Sequence, residues 1–129
     1  MILNYVLFSN IMTTQNNPKS DDILKKIFQM QQDYTSLLKL DRYPVNLDEK
    51  ISVLCTAIIH ETIELQRLTS WKWWKKPVPL DQKLAKEELI DIWHFVVQAS
   101  MELELTPEDI LKEYERKNQI NRQREATGY

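Results

Sequence analysis

Apolar residues recur at steps of three and four along most of the chain, and four helical segments follow from that spacing. The first, about 20–40, opens at Ser20-Asp21-Asp22, which offer N-cap oxygens, and carries the stripe Leu24, Ile27, Tyr34, Leu38 with Gln31 in the same row. Tyr43-Pro44 closes it. The second, about 47–70, begins near Asn46 to Asp48 and repeats Leu54, Ile58, Leu65 and Leu68 on one face. The third, about 81–104, is the most apolar, with Ala85, Leu89, Ile92, Val96, Ala99 and Leu103 in line. The fourth, about 107–125, has Thr106 as N-cap, Pro107 at the first helical position and Glu108 and Asp109 in the first turn. The pattern predicts an all-α bundle in residues 20–129, preceded by a flexible leader over 1–19 that is mostly polar from residue 9 onward.

Two pairs of acids interrupt this order. Glu61 and Glu64 stand three apart on the second helix, Glu88 and Asp91 three apart on the third. Spacing alone is weak, since roughly three such pairs arise by chance at this acid content. Their placement is stronger. Glu61 fills the gap in the row Leu54, Ile58, Leu65, Leu68, and Glu88 and Asp91 fall among Leu84, Ala85, Ile92, Phe95 and Ala99. Carboxylates on an apolar face repel one another and need a cation, either Lys or Arg partners or a divalent metal. Arg67, Lys83 and Lys86 lie near the helix ends, which leaves a buried salt-bridge network as the plainer alternative. An all-oxygen donor set favours Mg²⁺, with Mn²⁺ as substitute, over zinc. His60 and His94 read as supporting groups rather than ligands.

Composition narrows the chemistry. The single glycine, Gly128, excludes glycine-rich phosphate loops, which need several. A net charge of −2 argues against a general nucleic-acid partner. The apolar start, Met1 to Phe8, is too short to span a bilayer and has no basic residue before it. A cytoplasmic protein with no membrane partner is therefore expected, with Met12 as an alternative start. The one cysteine, Cys55, excludes an internal disulfide framework and reads as a small buried hydrophobe.

Basic and aromatic residues complete the set. Trp71-Lys72-Trp73-Trp74-Lys75-Lys76 follows the second helix, and Lys117, Asn121 and Arg124 share one face of the fourth. Aromatic faces stack on bases, and lysine and arginine neutralise phosphates. With the acids, these groups point to metal-assisted hydrolysis of a phosphoanhydride.

The chain resembles the dimeric, all-α dUTPase family, relatives of the MazG-type nucleotide pyrophosphohydrolases. The resemblance rests on Glu61-x-x-Glu64, W-K-W-W-K at 71–75, E-E-L-I-D-I-W-H-F at 87–95 and K-N-Q-I-N-R-Q-R-E-A-T-G-Y at 117–129. It implies a compact four-helix MazG-like bundle, completed by homodimerisation, that hydrolyses dUTP to dUMP and pyrophosphate with Mg²⁺. It also implies residue roles. Glu61, Glu64, Glu88 and Asp91 would hold metal, with Glu61 also activating water. Lys72, Lys117, Arg124 and Tyr129 would bind the phosphates, and Asn121 the nucleotide. Phe95 would pack on the deoxyribose, Trp74 would shape the base pocket, and Gln31 would read the base. Thr35 replaces the asparagine of the family's base-reading motif. That keeps open a MazG-like enzyme acting on another nucleotide such as dCTP. A non-catalytic helical interaction module is the alternative from a different class.

Overall fold

Side-chain caps set where three of the four helices begin. In the computed structural model, which describes residues 22–128, α1 is Ile23–Leu37, α2 Leu47–Arg67, α3 Gln82–Glu102 and α4 Pro107–Ala126. The Asp22 carboxylate accepts from the backbone N–H groups of Leu24 and Lys25, and Asp81 does the same for Lys83 and Leu84. Thr106 and Asp109 form a reciprocal capping box with Pro107 behind it. Asn46 caps α2 without a side-chain bond, and Asp48 and Glu49 in the first turn favour the positive end of the helix dipole. The described residues are 72% helical and hold no strand, so the fold is all-α. The leader expected over 1–19 and Tyr129 lie outside the described residues.

α2 and α3 are the most extensively packed pair, and α1 lies across α3. Lys50, near the start of α2, pairs with Glu102 at the end of α3, while Glu61 meets Asp91 near their middles, so the two helices run antiparallel. The fourth helix touches only α1 among the helices, with Lys25 of α1 paired to Glu108 in its first turn.

The α3–α4 corner is a Schellman-type end. Glu104 takes the left-handed conformation (φ 60°). Its N–H reaches the Met101 carbonyl at 3.0 Å, and that of Leu105 reaches the Ser100 carbonyl at 2.9 Å. The turn is one that glycine usually makes.

The core of one chain is thin. Among the described residues Leu54 and Val97 are the buried hydrophobics, whereas Ile90 and Trp93 on α3 are about half exposed. With Ile27 and Met30 of α1 they line an apolar groove of about 520 Å³. Two expectations are corrected here. Cys55 is exposed, because it points away from the α2 face that carries Leu54. The α1 segment ends at Leu37, short of Tyr43-Pro44, because the chain leaves the helix at Leu38 and then turns at Leu40–Tyr43.

Candidate functional site

Antiparallel packing of α2 on α3 brings three acids together. One carboxylate oxygen each from Glu61, Glu88 and Asp91 lies within 4.8 Å of the others. Glu61 and Glu88 are half-buried and Asp91 is exposed, so the cluster opens to solvent rather than lying in the core. Glu64 stands one turn on from Glu61, exposed and outside the group of three. Burial, then the charges of Glu64, Asp91 and Glu88, push the Glu61 carboxyl above its ordinary range.

The plainer alternative, a salt-bridge network around these acids, finds no support here. The ion pairs among the described residues are Lys25–Glu108, Lys50–Glu102 and Arg116–Glu113, and none includes Glu61, Glu64, Glu88 or Asp91. An α2–α3 ion pair does exist, but at the other end of the helices.

A cleft of about 610 Å³ runs from Glu61 and Asp91 to a polar far end. Phe95, Leu38 and Tyr34 form its apolar walls, and Gln31, Gln98, His94 and Tyr43 supply polar groups. The volume suits a small molecule such as a nucleotide. Gln31 is buried, with its Oε1 2.8 Å from Nδ1 of His94 and its Nε2 3.3 Å from Oε1 of Gln98. Gln98 in turn donates to Glu102 at 3.0 Å, and Glu102 also accepts from Tyr43 at 3.0 Å and Lys50 at 2.9 Å. Thr35 lines the cleft, but its hydroxyl bonds back to the carbonyls of Gln31 and Gln32.

Other candidate residues lie elsewhere within one chain. Lys72 sits over the ring of Trp71 (5.2 Å), and Trp74 packs edge-on against Trp71 and Trp73 in an exposed corner. The Ser70 hydroxyl closes that loop on both backbone groups of Val78. Neither Lys72 nor Trp74 lines the cleft, and neither do Lys117, Asn121 or Arg124 on the exposed length of α4.

Gln98, Glu102, Lys50 and Tyr43 are additions that the sequence reading missed. A signal exists for the three that lie on helices. Gln98 and Glu102 continue the row of Asp91 and His94 along α3, and Lys50 extends the row of Leu54 and Glu61 backward.

A profile of the dUTPase family matches residues 23–107, which takes in α1, α2, α3 and the start of α4. No curated protein and no solved structure is a match.

Proposed function

We propose, from the premise that the chain belongs to the dUTPase family, that it hydrolyses dUTP to dUMP and pyrophosphate. The observation that carries this reading is one cleft with carboxylates at one end and amides at the other. Such a cleft matches the two ends of a nucleotide, a polyphosphate that needs a cation and a base edge that needs hydrogen bonds.

The donor set at the acidic end fits a hard divalent cation: it is all oxygen, partly shielded, and outside the ion pairs of the described residues. Glu61, Glu88 and Asp91 would hold Mg²⁺ (or Mn²⁺), with Glu64 adding negative charge beside them. When bound, the ion supplies Lewis acidity and charge neutralisation for phosphate oxygens. Glu61 is the proposed base. Its carboxylate would take a proton as a water attacks the α-phosphorus, while pyrophosphate leaves. Phe95 and Tyr34 would enclose the sugar and base, and Gln31 would meet the base edge. Lys72, Lys117, Asn121 and Arg124 stand off the cleft within one chain. Their expected roles therefore require approach on substrate binding or the docking of a second copy. A second copy is also the proposed cover for the groove lined by Ile27, Met30, Ile90 and Trp93.

The dCTP alternative keeps one specific support: the Thr35 hydroxyl is engaged with its own helix. Purified protein with Mg²⁺ and a panel of nucleoside triphosphates, read by pyrophosphate release, tests both. Turnover fastest with dUTP is expected. Turnover of none would sink the enzymatic reading and leave the interaction module.

A further inference from the structure

We propose that Glu102 is a positioning residue that locks the amide orientations of Gln98 and Gln31, and thereby fixes the order of donors and acceptors the cleft presents to a nucleobase. This rests on the reading that the amide end of the cleft receives the base.

The direction of the chain of bonds follows from what each group can do. An ionised carboxylate only accepts hydrogen bonds. Glu102 is held in that form. Burial would raise its pKa, but bonds from Lys50, Gln98 and Tyr43 outweigh this and hold it below the usual range. Tyr43 stays a donor, its hydroxyl pushed up to about 12 by burial and by Glu102. Gln98 must therefore turn its NH₂ toward Glu102, at 3.0 Å. Its oxygen is then left facing Gln31, whose NH₂ approaches at 3.3 Å. The oxygen of Gln31 consequently faces Nδ1 of His94 at 2.8 Å. An amide oxygen cannot donate, so in the neutral imidazole Nδ1 carries the proton and Nε2 is left as an acceptor.

The consequence concerns selectivity. A free primary amide rotates by half a turn and exchanges donor for acceptor. In one orientation it pairs with the N3–H and O4 edge of uracil, in the other with the N3 and N4–H edge of cytosine. Such an amide discriminates poorly. Here, reversing Gln31 would require reversing Gln98, and that would set an amide oxygen against the Glu102 carboxylate. The buried Gln31 has little alternative hydrogen bonding. Glu102 is thus the fixed end from which the polarity of the series is set, at the opposite end of the cleft from the acids.

Glu102→Gln tests this, because glutamine keeps the shape but can present either NH₂ or oxygen to Gln98. Two readouts are taken on the full chain: the kcat/KM ratio for dUTP against dCTP, and the ¹⁵N shifts of His94 well above the imidazole pKa. The wild type is expected to discriminate and to show the Nδ1–H tautomer. The folded variant is expected to move the ratio toward one by about tenfold or more and to show mixed tautomers. A folded variant that keeps both the ratio and the tautomer overturns the inference, as does a wild type that does not discriminate or carries its proton on Nε2. If the variant fails to fold, the wild-type ratio and tautomer decide. If neither nucleotide reacts, the functional reading fails, and the His94 tautomer alone still decides whether the amides are locked.

Discussion

The acidic end of the cleft and the basic face of α4 carry complementary charge but are held in very different ways. Glu61, Glu88 and Asp91 sit on the two helices that pack most closely, so their approach within 4.8 Å is a by-product of the α2–α3 interface. Lys117 and Arg124 sit on a helix that, among the described helices, meets only α1 and is exposed along most of its length. The acids are preorganised, whereas the cations are carried on a helix that begins in a capping box and packs sparsely on the rest of the bundle. Strongly repelling groups need a rigid frame.

Four experiments sharpen or break this contrast, from the largest expected effect to the smallest. Glu61→Gln should lower kcat by about a thousandfold or more with helical circular dichroism retained, and chelating divalent cations should abolish turnover of the wild type. Retained activity in that variant would show that the preorganised end is not where the chemistry occurs. Replacing Lys117 and Arg124 together by alanine should raise KM about tenfold with a smaller change in kcat. Unaltered kinetics would mean that α4 stays outside the site even with substrate present. Thr106→Ala removes half of the capping box and should cost about 1 kcal/mol, a fall of about 4 °C in Tm. A larger fall would show that α4 supports the bundle more than its sparse contacts imply. The smallest effect is acid sensitivity. The folded pKa of Glu102 lies below its ordinary value of 4.5, so its bonds stabilise the fold above that pH and are lost as the pH falls through and below it. The Tm gap between wild type and Glu102→Gln should therefore narrow on acidification, as thermal melts across that range would show.

Much of this was legible in the chain of letters. The starts of α1, α2 and α4 follow from Asp22, Asn46 and Thr106, and the acids stood out because they interrupt apolar rows. The Lys50–Glu102 pair did not stand out. Its members are far apart in the sequence and meet only once the antiparallel register of α2 and α3 is known. The end of α1 was missed because no glycine marks Leu38, and Tyr43-Pro44 is the more visible break. Cys55 looked buried because its neighbours are apolar, yet one turn of a helix carries residues on every face.

The left-handed glutamate at the end of α3 has a consequence for how the chain tolerates change. The corner is tied by main-chain bonds from Glu104 and Leu105 to Met101 and Ser100, so the heading of α4 is set before any of its own side chains is encountered. Its surface residues can drift without redirecting the helix. By contrast, a β-branched residue at Glu104, where φ is 60°, would be strained in place. The most constrained position for the path of the last helix is therefore one that lies outside it.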